Sequence, residues 1–180
     1  MLQLSDSDLI RSAVVKAPVS RSVVSRYVAG ESVDEAVSVA AELRTTNRLA
    51  TIDYLGEDTT DRARAEATRD TYVQLLDALA EADLAAYGAA EVSVKLSAVG
   101  QALPQDGDAI ALENARAICE AAARAGTTVT LDMEDHTTTD RTLDTLRTLR
   151  EDFPFQAVER IDVAGGFDGP PRGGDHVGLH

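Results

Sequence analysis

Two rhythms of apolar and polar residues run along this chain. Up to about residue 48 the apolar positions recur at helical spacing. Ser5 and Ser7 can cap a helix through LIRSAVVK, and Pro18 restricts Ala17 and restarts the chain. VSRSVVSRYVAG then predicts a second helix that stops at Gly30 in a left-handed turn. Ser32 to Glu35 has the form of a capping box, in which the hydroxyl accepts from the amide three residues on and the glutamate reaches back. The helix behind it would carry Val33, Val37, Ala40 and Leu43 on one side.

From residue 49 the rhythm changes. LATIDYLGE (49–57) predicts a strand, and residues 61–87 a helix with Leu75, Leu76 and Leu79 at helical spacing. EVSVKLSAV (91–99) predicts a second strand, QALPQDGD a loop, and 109–125 a helix ended by Gly126. TTVTLDMED (127–135) predicts a third strand. Thr138 or Thr139 can cap a third helix with Leu143, Leu146 and Leu149 on one face. Three strand–helix alternations predict an α/β fold, with a parallel sheet and helices packed outside it. After Pro154 the pattern dissolves. FQAVERIDV could form a strand, but GGFDGPPRGGDHVGLH lacks periodicity and predicts a disordered tail. The expected divisions are a helical segment over 1–48, the alternating region over 49–153 and the tail over 154–180.

Charge and length narrow the functional classes. Seventeen basic and 31 acidic residues give a net charge of −14, which argues against a nucleic-acid partner or an anionic membrane surface. At 44% hydrophobic residues the chain can build a core. Its 180 residues fall short of the roughly 250 of a complete (β/α)₈ barrel. The single cysteine, Cys119, excludes an intrachain disulfide and reads as a small core residue. No stretch reaches the roughly 18 apolar residues of a membrane span. The N-terminus lacks the basic start of a secretory signal, so a cytoplasmic location is expected.

Charged residues inside parallel strands are the candidate chemistry, because such strands are ordinarily apolar on both faces. Asp53, Lys95 and Asp132 each sit near the C-terminal end of a predicted strand. That end carries the active site of α/β barrels. A salt bridge in a barrel mouth is the purely structural alternative. Glu134, Asp135 and His136 follow on the third strand, but one cluster without converging ligands makes no metal site. No dinucleotide fingerprint, phosphate-binding loop or nucleophile elbow occurs.

DYLGE, VSVKLSA and LDMED, in this order and spacing, resemble the monofunctional bacterial proline dehydrogenases. The longer runs TIDYLGEDTTD, KLSAVGQALP and TVTLDMEDHTTTD are similar to the actinobacterial branch, and RYVAGES also fits. The resemblance covers about residue 10 to Pro154. It implies N-terminal helices followed by the first three βα units of an incomplete (β/α)₈ barrel. It also implies a noncovalent FAD enzyme that oxidises L-proline to 1-pyrroline-5-carboxylate and passes electrons to a quinone, with at most peripheral membrane contact. By the same resemblance, Lys95 would hold the substrate carboxylate and Asp132 would organise the catalytic site. Met133 would contact the flavin, Glu57 would gate the site by pairing with an arginine of the last barrel helix, and Asp53 would line the mouth. The later family motifs, including that arginine, do not occur in these residues. The resemblance therefore implies a truncated or frameshifted fragment with little activity alone. Two other readings compete: a small barrel lyase using Lys95 as a Schiff-base nucleophile, and a noncatalytic interaction module.

Overall fold

A computed structural model describes residues 28–153, 158–163 and 174–179. The helix expected through LIRSAVVK lies outside them. The described chain runs β1 (Val28–Gly30), α1 (Val33–Thr45), β2 (Leu49–Tyr54), α2 (Arg62–Glu81), β3 (Ala90–Lys95), α3 (Gly107–Ala125), β4 (Val129–Met133), α4 (Thr139–Asp152), β5 (Val158–Val163) and β6 (Gly174–Leu179). Short helical turns follow α2 at Ala86–Gly88 and β3 at Ser97–Gln101.

The alternation is as expected, and its punctuation works locally. Ser32 accepts from Glu35 N at 3.3 Å, while the Glu35 carboxylate accepts from Glu31 N at 2.8 Å. The capping box thus reaches back one residue further than its usual form. Gly30 is required beside it, because a Cβ there would collide with the Glu35 side chain. Residues 28–30 are consequently a strand rather than the end of a helix. Gly126 stops α3 in the left-handed region at φ 79°, its N–H donating to Ala122 O at 2.9 Å.

All strand pairs are parallel, in the order β1-β6-β2-β3-β4-β5. The strands between β2 and β4 have two unlike faces, set by the two-residue period of a strand. Ala50, Ile52, Val92, Val94, Val129 and Leu131 share one parity and are buried. They belong to one core with Leu75, Leu76 and Leu79 of α2, Ile118, Cys119 and Ala122 of α3, and Leu149 of α4. Burial pushes the Cys119 thiol up to about 12, so it packs as a small apolar residue. The other parity holds Thr51, Asp53, Glu91, Ser93, Lys95, Thr128, Thr130 and Asp132. One sheet face is therefore hydrocarbon against helices, and the opposite face is polar apart from the exposed Leu49 at the start of β2.

Two strands fall in the expected tail: β5 where FQAVERIDV could form one, and β6 within the stretch expected to be disordered. β5 pairs with β4, and β6 lies between β1 and β2. A pairing edge recruits main-chain N–H and C=O groups, which every residue carries whatever its side chain. GDHVGL can join a sheet without the hydrophobic alternation that announces a strand.

Candidate active site at the strand ends

The register brings the predicted charges together. Asp53 pairs with Ser93 across β2 and β3, and Lys95 pairs with Asp132 across β3 and β4. Lys95 Nζ lies 3.8 Å from Asp53 Oδ2 and 3.9 Å from Asp132 Oδ2. The three side chains are only 20–26% exposed. An ammonium so placed needs charge partners, and neighbouring strands supply one on each side. Both separations exceed hydrogen-bond range, so the lysine's donors are not tightly closed on either acid.

Tyr72 of α2 fixes the strands that carry these groups. Its buried hydroxyl donates to Ser93 O at 2.7 Å and accepts from Tyr54 N at 3.0 Å. One phenol thereby ties the ends of β2 and β3, and burial raises its pKa. Its ring meets Tyr54 edge-on at 6.4 Å. Nothing in the sequence marks Tyr72, since an aromatic at helical spacing reads as core and gives no sign of a role at the strand ends.

Below the mouth, Glu91 gathers three hydroxyl donors from two neighbouring strands and a loop. Thr51 donates at 3.0 Å, Thr128 at 2.5 Å and Thr130 at 3.4 Å. Above it, the acids after Asp132 are each engaged. Glu134 accepts from Ser97 Oγ at 2.5 Å and Ser97 N at 3.2 Å. Burial raises the Glu134 pKa, opposed by the Ser97 hydrogen bonds and reinforced by Asp58 and Glu57. Asp135 turns onto Thr137, whose hydroxyl and amide lower its pKa. Among the described residues no group of three or more His, Cys, Asp or Glu is placed to hold a metal ion.

Two predicted site residues stand apart from the Lys95 cluster. Glu57 is exposed in the loop after β2. Met133 is 7% exposed and shares the parity of Leu131, opposite to Asp132. The residues present fit the ring end of a flavin better than its phosphate end. Lys95 offers a cationic donor at the open strand ends, whereas Met133 is buried on the opposite face of the sheet. The described mouth has no basic or glycine-rich cradle for a pyrophosphate.

Parallel strands, helices over one sheet face and a charged cluster at the C-terminal strand ends define an α/β protein of the kind that supplies part of an α/β barrel. The family profile "Proline dehydrogenase" matches residues 36–165, and the chain belongs to the proline dehydrogenase family. Proline dehydrogenase of Deinococcus radiodurans is 36% identical over 140 residues, covering 78% of this chain and 44% of the relative. Proline dehydrogenase 1 of Bacillus subtilis is 33% identical over 138 residues, covering 77% of this chain and 43% of the relative. The chain thus spans less than half the length of these curated relatives. Proline utilization A from Bdellovibrio bacteriovorus, solved after inactivation by N-propargylglycine, shares the fold at TM-score 0.66 and 24% identity. That match covers 86% of this chain and 18% of the larger one. The Corynebacterium freiburgense proline utilization A gives 0.62 and 20%, over 85% and 16%. The family assignment displaces the Schiff-base lyase reading, and Lys95 lies between two carboxylates rather than in the apolar pocket such a nucleophile uses. No described helix is long and apolar enough to cross a membrane.

Proposed function

We propose that this chain provides the first part of a proline-oxidising site, converting L-proline to 1-pyrroline-5-carboxylate with FAD and a quinone acceptor in the cytoplasm. The observation that carries this reading is Lys95 set between Asp53 and Asp132 at the strand ends of a chain of this family. A zwitterionic amino acid needs a cation for its carboxylate and anions for its ammonium, and this cluster holds both signs. Lys95 binds the carboxylate. Asp132 and Asp53 orient Lys95, and Asp132 also organises the amine side. Met133, the last residue of β4, is assigned to flavin contact by the family resemblance alone, and Glu57 closes the mouth against an arginine from elsewhere in the barrel. Bound there, the flavin supplies the hydride acceptor. The chain's own residues contribute positioning, which suits hydride transfer.

The 180 residues alone are expected to bind FAD weakly and to turn over little, because they match under half of each curated relative. Absorption spectra of the purified chain with added FAD test this directly. A bound flavin bleached by L-proline would overturn the expectation of inactivity. Grafting residues 49–153 in place of the matching segment of the Deinococcus relative tests the substrate. The graft is expected to give a flavin bleached by proline, and Lys95→Met to lose the bleaching. A graft that folds and holds flavin, yet is not bleached by proline, refutes the assignment.

A further inference from the structure

Ser97 is the meeting point of three consecutive strand–helix connections. Its Oγ accepts from Asp58 N at 3.1 Å, and its carbonyl accepts from Thr59 N at 3.2 Å. On the other side its N–H and hydroxyl both donate to Glu134. Thus the loop after β2 rests on the turn after β3, which rests on the end of β4. Ser97 is itself 5% exposed and Thr59 8%. The held loop turns sharply at Asp58, whose φ of 52° lies in the left-handed region that aspartate enters more readily than most side chains. Both amides at that point end on Ser97.

We infer that Ser97 and Glu134 are a positioning pair that fixes the loop after β2, and with it Glu57, at the mouth of the site. Its consequence for Glu57 rests on the proposed function, but the latch itself does not. Glu134 acts through another residue: it orients the Ser97 hydroxyl by taking its proton end, which turns the oxygen lone pair toward Asp58 N–H. Removing Glu134 therefore loosens an amide with which it shares no hydrogen bond. Asp58 and Glu57 add their own charge to the arrangement, since both raise the Glu134 pKa.

Backbone amide hydrogen exchange of the 180-residue chain, without flavin or proline, tests the pair. Ser97→Ala is expected to speed exchange at Asp58 about tenfold, the scale of one lost hydrogen bond. Ser97→Thr keeps the hydroxyl and is expected to restore the slow rate. Glu134→Ala is expected to speed Asp58 in the same direction, and the near-isosteric Glu134→Gln by less. The β3 amides report whether each variant keeps its sheet, so a variant that unfolds is replaced by its milder partner. Asp58 exchanging at the wild-type rate in either Ser97→Ala or Glu134→Ala, with the β3 amides still protected, would overturn the inference. A failed latch would leave proline bleaching of the graft untouched. An unbleached graft would likewise leave the exchange result standing.

Discussion

The lower and upper halves of the polar sheet face use similar residues to opposite ends. At the lower level Glu91 is held directly: hydroxyls of Thr51, Thr128 and Thr130 reach it within hydrogen-bond range. At the upper level Lys95 is compensated but not closed, with both carboxylates near 4 Å. A part-buried charge held by several direct hydrogen bonds fixes structure. A charge that is neutralised at longer range keeps its donors available to a ligand. The difference separates scaffold from site on one strand, four residues apart.

Mutations should split along that line. Glu91→Ala is expected to cost the most stability, about 2–3 kcal/mol in urea unfolding, because three hydroxyls lose a charged acceptor. An unchanged midpoint would show that the lower network is ornamental. Lys95→Met should cost less than about 1 kcal/mol in the same measurement, since its ion pairs are open and partly solvated. A loss as large as that of Glu91→Ala would make Lys95 a structural residue and weaken its assignment to substrate. The smallest expected effect is on pH dependence. The raised pKa of Glu134 means that its protonated form is favoured by folding. Its contribution to stability is complete below the ordinary carboxylate range and fades as pH rises through the raised value. Unfolding series between those limits should show this slope, and Glu134→Gln should flatten it.

Much of this was readable in the chain. Asp53, Lys95 and Asp132 interrupt apolar strands, so their cost of burial announces them. The βα alternation followed from the change in period, and the family motifs from DYLGE, VSVKLSA and LDMED. Neutral hydroxyls gave no such signal. Thr51, Thr128 and Thr130 are ordinary strand residues until the register brings them to Glu91, which itself looked like the polar edge of a strand. Ser97 was hidden because the predicted second strand ran through it to residue 99. The chain instead leaves the sheet after Lys95 and coils into a turn. Tyr72 and β6 escaped for a common reason. Their decisive bonds are to main-chain groups, and main-chain groups leave no mark on residue choice.

The placement of β6 bears on how the molecule assembles. β2, β3 and β4 pair between neighbours in sequence, with about one helix between partners. β6 pairs with β2 from the far end of the 180 residues, joining Ala50 to Asp175 and Tyr54 to Leu179. Closing so long a loop costs entropy before any contact rewards it, and nonlocal pairing of this kind slows folding. The three central βα units can therefore condense early, with the β2 edge open until β6 arrives. During that interval the unpaired edge is available to any other extended strand in solution.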